Sequence, residues 1–172
     1  MTETRTERLR LSRPVPEDLA AVAELHGDPE TNLHNPSGAR TPDESAQLLG
    51  SWLDDWATHG IGYWTARELV SGEVVGFGGL RPHELDGALA LNLYYRFRPA
   101  VWGRGYATEL ARAGAAWARR VRPELPVVIV TRQDNHQSVR VAEKIGFVLS
   151  GTTRAYGGES LVYRAASTTV PS

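Results

Sequence analysis

Along this chain the apolar positions change period several times, and each change marks a new element. Leu9-Arg-Leu-Ser12 alternates apolar and polar residues, the pattern of a strand with one buried face. Pro16, Glu17 and Asp18 supply the proline and acids of a first helical turn, and Leu19, Val22, Ala23, Leu25 and His26 carry a helix onward. From Gly27 to Arg40, with Pro29, Pro36 and Gly38, no period holds, so an irregular linker is expected. Thr41-Pro42-Asp43-Glu44 is a capping box, a hydroxyl cap with a glutamate three positions on. Behind it Ala46, Leu49, Leu53 and Trp56 recur at helical spacing, ending near Thr58.

The middle of the chain returns to strand patterns. Gly62 to Glu68 and Glu73 to Leu80 flank a Val70-Ser71-Gly72 turn and read as a hairpin. Leu91, Leu93, Tyr95 and Phe97 fall on one face of a further strand, with Asn92, Tyr94 and Arg96 on the other. Ala107, Leu110, Ala111, Gly114, Ala115 and Ala118 then form a helical stripe whose small residues allow close packing on a sheet. Val127-Val-Ile-Val-Thr131 is an unbroken apolar run, as in a strand covered on both faces. Asn135 to Ile145 is a short helix stopped by Lys144 and Gly146. Phe147 to Arg154 and Ser160 to Ala165 read as closing strands around Tyr156-Gly157-Gly158. The expected fold is α/β: a mixed, mostly antiparallel sheet of six to seven strands flanked by helices. One domain covers residues 7–166, with 1–6 and 167–172 as flexible termini.

Composition narrows the function classes. The chain has 172 residues, enough for one core without disulfides or metals, and a net charge of −1 that recruits neither nucleic acid nor anionic membrane. It contains no cysteine, which removes thiolate metal sites and cysteine nucleophiles. The five histidines show no metal-ligand spacing and no triad companion, so no metal is expected. The first residues lack the apolar stretch of a signal peptide, and no run approaches the ~18 apolar residues of a membrane span. A cytoplasmic protein is expected.

Candidate chemistry concentrates in Arg98-Pro-Ala-Val-Trp-Gly-Arg-Gly-Tyr-Ala-Thr-Glu-Leu110. A short loop with Gly103 and Gly105 feeding a helix N-terminus exposes amides with no intrahelical partner, a concavity suited to phosphate oxygens. A tight connection that binds nothing is the plain alternative. A dinucleotide fingerprint fits poorly because its third glycine is absent, and a Walker loop lacks its Lys-Ser/Thr pair. Asn135 reads equally as an N-cap, and Ser138 as a solvated helix residue. Trp52 and Trp56 are core residues or the border of a pocket. Arg119, Arg120 and Arg122 complement a helix dipole or meet a phosphate.

The order of elements resembles the GNAT superfamily of acetyl-CoA-dependent N-acetyltransferases, and within it the ribosomal-protein alanine N-acetyltransferase (RimJ/RimL-like) branch. The resemblance rests on Glu7-Arg8-Leu9-Arg10-Leu11 with Pro16-Glu17-Asp18, on Phe97 to Glu109, and on Asn135-His-Gln-Ser138 with Glu143-Lys-Ile-Gly-Phe147. It implies that backbone amides of Trp102, Gly103, Arg104, Gly105, Tyr106, Ala107 and Thr108 bind the CoA diphosphate. Trp102 stands where the general pattern has Gln or Arg. It also implies that CoA lies in a splay between the strand ending at Phe97 and Val127–Thr131. Tyr95 and Phe97 would pair with the pantetheine by backbone, Asn135 would bond that arm, and Ser138 would face the thioester sulfur.

The implied acceptor is a primary amine: a protein N-terminal α-amine, or a small molecule such as an amino acid or an aminoglycoside-like compound. An α-amine with pKa near ~8 is partly neutral at cytoplasmic pH, unlike lysine near ~10.4, and needs little help from a base. Many relatives carry an acid where this chain has Asn92, leaving His83 and Glu84, expected in the turn before that strand, as substitutes. A non-catalytic CoA-binding module and an interaction domain with an empty loop remain as other classes. A monomer and a homodimer are both compatible.

Overall fold

Each change of period becomes a change of element in the computed structural model, which describes residues 3–35, 37–155 and 157–166. The order is β1 (Glu3–Arg5), β2 (Leu9–Ser12), α1 (Leu19–Gly27), α2 (Pro42–His59), β3 (Tyr63–Glu68), β4 (Val74–Leu85), β5 (Ala88–Phe97), α3 (Tyr106–Val121), β6 (Val127–Arg132), α4 (His136–Lys144), β7 (Phe147–Ala155) and β8 (Gly158–Ala165). The strands form one sheet in the order β1-β2-β3-β4-β5-β6-β8-β7. The α/β class and the mostly antiparallel sheet agree with expectation, and β5–β6 is a parallel pair. The caps follow the sequence too. Thr41 accepts from Glu44 N–H while the Glu44 carboxylate accepts from Thr41 N–H at 2.8 Å, and Gly60 closes α2 in the left-handed region.

Two expectations are corrected. The sheet has eight strands, because residues 3–5, expected to be flexible, pair antiparallel with β2 through Glu3↔Ser12 and Arg5↔Arg10. Glu3-Thr4-Arg5 has no apolar residue to give a period, and backbone pairing at a sheet edge defines it as a strand. The hairpin before β5 is also longer than expected. β4 runs to Leu85 and turns at Asp86-Gly87, both with positive φ, so His83 and Glu84 sit in a strand opposite Ala90 and Leu89. Pro82 is tolerated there because β3 pairs with β4 only as far as Gly79. Residues 167–172 and Tyr156 lie outside the described residues.

Buried apolar residues form three clusters: Leu85, Ala90, Val128, Val130 and Val162 make one among the strands, and the other two seat helices on the sheet. One joins α1 and α2 to the sheet through Val22, Leu25, Leu49, Trp52, Tyr63 and Phe77. The other seats α3 on β5 and its neighbours through Leu110, Ala111, Leu91, Leu93 and Phe97. Gly114 permits this close seating, since a Cβ there would come within 2.8 Å of Leu93 Cδ1.

The feature that positions the site is the separation of β5 from β6. They pair only at Leu91↔Val127 and Asn92↔Val128, then diverge as a fork. Asn92 is buried at the crotch, where its Oδ1 accepts from Val130 N–H at 3.2 Å. This side-chain bond replaces a ladder bond and satisfies an amide that the divergence would otherwise strand.

Candidate active site

The glycine loop lies at the open end of the fork. After a single 3-10 turn at Pro99–Val101, Gly103 and Gly105 adopt φ of 80° and 82°, where an L side chain is strained. Glu109 N–H bonds the Gly105 carbonyl at 3.0 Å, so the amides from Gly103 to Thr108 precede the helix's first backbone bond. The side chains of Tyr106 and Thr108 are buried, so backbone is what these two positions offer to a ligand. The Trp102 backbone N–H, expected to meet the diphosphate, instead bonds Pro99 O at 3.1 Å, and its indole N–H donates to Phe97 O at 2.8 Å, which ties the loop back to β5.

A second tie comes from the beginning of the chain. Arg8 donates Nη1–H to Arg104 O at 2.6 Å, Nε–H to Glu109 Oε2 at 2.8 Å and its backbone N–H to Glu109 Oε1 at 2.7 Å. Its guanidinium stacks 4.6 Å from the centre of the Tyr106 ring, and Tyr106 donates its hydroxyl to Glu68. Burial works against ionisation of Glu109, but hydrogen bonds from Thr6 and Arg8 outweigh it and hold the carboxyl below its usual value. Arg8 belongs to the Glu7–Leu11 motif, whose local pattern carries no signal of its role. The structure makes it the brace that fixes the loop and leaves a cation beside it.

Strand parity decides which backbone groups face the fork. Leu91 N–H points toward β6, bonding Pro126 O, whereas Arg98 N–H points toward β4, bonding Val75 O. By alternation the N–H and C=O groups of Leu93, Tyr95 and Phe97 face the fork. Phe97 O is taken by Trp102, leaving the Phe97 N–H and both groups of Tyr95. On the far arm, Asn135 caps α4 by accepting Ser138 N–H at 3.2 Å, so its cap role is real and its Nδ2 remains. The Tyr95 side chain crosses to α4, its hydroxyl 2.9 Å from Ser138 Oγ and 3.0 Å from Ser138 O. Burial pushes the Tyr95 phenol up, against a smaller effect of the Ser138 hydrogen bond, and it stays protonated at neutral pH.

A cleft of about 870 Å³ runs through the fork, from Trp102, Ala107 and Ser138 to Trp52, Tyr63, Tyr94 and Arg96 on the α1–α2 side. That is large enough for a cofactor-sized ligand. Several expected residues meet there, and others do not. Tyr95, Phe97, Trp102, Ala107, Asn135 and Ser138 line the cleft, whereas Gly103, Arg104 and Gly105, which are exposed, and Tyr106 and Thr108, which are buried, do not. His83 lines it. Glu84 is exposed and does not. Trp52 borders the cleft while Trp56 packs on Trp117 in the core. Gly157 and Gly158 line a separate cavity of about 300 Å³. Arg119, Arg120 and Arg122 sit at the far end of α3 from the loop, and Arg122 pairs with Glu124 at 2.7 Å. Among the described residues no three His, Asp or Glu groups converge as a metal site needs, and no helix is long and apolar enough to cross a membrane.

His26 is a feature of the α1–α2 side that sequence reasoning left unused. It is 1% exposed, donates Nδ1–H to Val22 O at 3.0 Å, and turns Nε2 toward the Tyr94 hydroxyl at 3.4 Å. Burial first, and the charges of Arg96 and Arg40 second, lower its pKa to about 4, against an opposing hydrogen bond to Val22 O. The unfolded chain therefore takes up a proton near pH 6.5 that the folded chain refuses until about pH 4. Stability contributed by neutral His26 is present above pH 6.5 and lost as the pH falls toward 4. Urea unfolding should show about 2 kcal/mol lost between pH 6.5 and 5 from this group, and His26→Gln should flatten that slope.

Comparison with known proteins follows the same lines. The family described as "Acetyltransferase (GNAT) domain" matches residues 8–148. The uncharacterized protein YkkB of Bacillus subtilis (strain 168) is 28% identical over 167 residues, 96% of each chain. An acetyltransferase from Agrobacterium tumefaciens str. C58 is 26% identical with a TM-score of 0.83, covering 97% of this chain and 95% of that one. RimL, a ribosomal α-N-protein acetyltransferase solved with coenzyme A, shares the fold at a TM-score of 0.74 and 18% identity, covering 92% of this chain and 94% of that one.

Proposed function

As the chain belongs to the GNAT acetyltransferase family, we propose that it moves the acetyl group of acetyl-CoA to a primary amine, a protein N-terminal α-amine or that of a small molecule. The observation that carries the reading is the fork, with the glycine loop at its open end and the Tyr95–Ser138 pair joining β5 to α4. The residues present fit a CoA-like donor: unpaired amides at a helix N-terminus, an open strand edge beside them, and a cleft through the sheet.

Acetyl-CoA supplies a thioester whose carbonyl carbon an amine attacks. The amides of Gly103 to Thr108 receive the diphosphate, with the Arg8 guanidinium adding charge beside them. The backbone of Phe97 and Tyr95 aligns the pantetheine arm as a neighbouring strand would, and Asn135 Nδ2 bonds it from the other side. An N–H of β5 near Tyr95, fixed before reaction begins, stabilises the oxyanion that develops as the amine adds. As the carbon–sulfur bond breaks, Ser138 Oγ–H, held against the Tyr95 hydroxyl, donates a hydrogen bond to the departing sulfur. The amine proton leaves through water to His83, the one of the two expected bases that lines the cleft. Asn92 takes no part in proton transfer, since its oxygen is committed to Val130 N–H.

The test is amine-dependent release of CoA thiol from acetyl-CoA, read with a thiol reagent against a protein that contains no cysteine. Release with at least one amine, and an acetylated product by mass spectrometry, is expected. A protein that binds acetyl-CoA but releases none with α-amines of peptides, amino acids or small molecules would be a binding module instead.

A further inference from the structure

The α1–α2 side of the cleft carries positive charge that the protein does not neutralise. Three acids line the cleft. Asp55 pairs with Arg81 at 2.7 Å, Asp134 pairs with Arg132 at 3.1 Å, and Glu30 is exposed. Arg96 and Arg40 also line it, and among the described residues neither lies within salt-bridge distance of a carboxylate. Arg40 Nε is buried with no hydrogen-bond partner, which is costly for a charged donor unless a ligand completes it.

Arg96 is set in place rather than left loose. Its Nη1–H donates to Asn32 Oδ1 at 2.6 Å, and its guanidinium lies 5.5 Å from the centre of the Tyr94 ring. Asn32 is itself buried and fixed by Nδ2–H bonds to His26 O at 2.9 Å and Asp28 O at 2.7 Å, which turn its oxygen toward Arg96. Arg40 is drawn to the same place by its backbone N–H, which bonds His26 O at 2.7 Å. Asn32, which holds Arg96, and the Arg40 backbone N–H both bond the His26 carbonyl, so the two arginines are anchored at one point of the chain. Arg96 is one residue from Tyr95, about 3.3 Å along the strand, and its side chain lies on the opposite face from the Tyr95 phenol.

Resting on the acetyl-transfer reading, we propose that the acceptor is an amine carrying a carboxylate, held by Arg96 and Arg40 so that its amino group reaches the fork beside Tyr95. Planar guanidinium forks match a carboxylate in two parallel hydrogen bonds. The carboxylate belongs to an amino acid or to an acidic residue next to a peptide's free N-terminus.

Matched acceptors test this: amino acids against their primary amides, and peptides with an acidic second residue against the Asn or Gln counterparts. The amide's α-amine is less basic, so intrinsic reactivity favours the amide and a preference for the acid reports the site. The carboxylate member should exceed its partner about 10- to 100-fold in kcat/KM, and the arm that shows the effect names the source. Arg96→Met and Arg40→Met should each raise KM for the carboxylate member toward that of its partner and leave KM for acetyl-CoA unchanged. Arg96→Lys, which keeps the charge, should recover part of the loss. Equal use of both members with CoA released overturns this inference and leaves acetyl transfer standing. A rise in KM for acetyl-CoA in Arg96→Met also overturns it, by assigning the arginine to the donor. No CoA release with any member overturns the acetyl-transfer reading itself.

Discussion

Gly105→Glu is expected to weaken acetyl-CoA binding at least about 100-fold, about 2.7 kcal/mol, in a chain that still folds. Gly105 is the N-cap of α3 at φ 82°, where an L residue costs roughly 1–2 kcal/mol. Its Cβ would lie 3.4 Å from Arg8 Nη2, so the new carboxylate is drawn to the guanidinium and held over the loop. There it takes the charge and the amides that the diphosphate needs, while an acid at a helix N-terminus offsets part of the backbone strain. Gly105→Ala, which adds strain without charge, should lose far less affinity. Calorimetric titration with acetyl-CoA, alongside thermal unfolding, reads both. Unchanged affinity in folded Gly105→Glu would refute the loop as the diphosphate site.

The second large effect is on rate. Ser138→Ala should lower kcat about 100-fold, roughly 2.7 kcal/mol of transition-state stabilisation, with KM for acetyl-CoA changed little. Ser138 Oγ is the hydroxyl that the Tyr95 phenol positions, and the cap of α4 survives its removal because Asn135 bonds the Ser138 backbone N–H. Tyr95→Phe should cost less, about tenfold, because the serine keeps its own hydroxyl and loses only its partner. Steady-state kinetics at saturating acceptor separates the outcomes. A full-rate Ser138→Ala enzyme would remove Ser138 from the leaving-group step.

What could be read before folding was whatever leaves a period or a cap in the local sequence. The alternation of Leu91, Leu93, Tyr95 and Phe97 with Asn92, Tyr94 and Arg96 is borne out by the two helix-seating clusters and the cleft. The capping box at Thr41 and the turn glycines are local in the same way. β1 was invisible because Glu3-Thr4-Arg5 has no apolar residue. His83 and Glu84 lie in β4 rather than in a turn because the strand runs past Leu80 and reverses only at Asp86-Gly87. The fork was implied only by resemblance. The Asn92–Val130 bond that satisfies the backbone at its crotch joins residues 38 positions apart. The brace from Arg8 to Glu109 spans 101 positions and the Arg96–Asn32 contact 64, distances at which no spacing rule operates. The loop and α4 therefore left local glycine and cap signals, whereas the α1–α2 side of the cleft is assembled from distant contacts.

The most direct test of the account is a crystal structure of the chain with coenzyme A. It should show diphosphate oxygens within hydrogen-bond distance of the Gly103–Thr108 amides, the pantetheine arm between β5 and β6, and the sulfur beside Ser138 Oγ. Coenzyme A bound elsewhere, or a fork that stays empty at saturating coenzyme A, would contradict it.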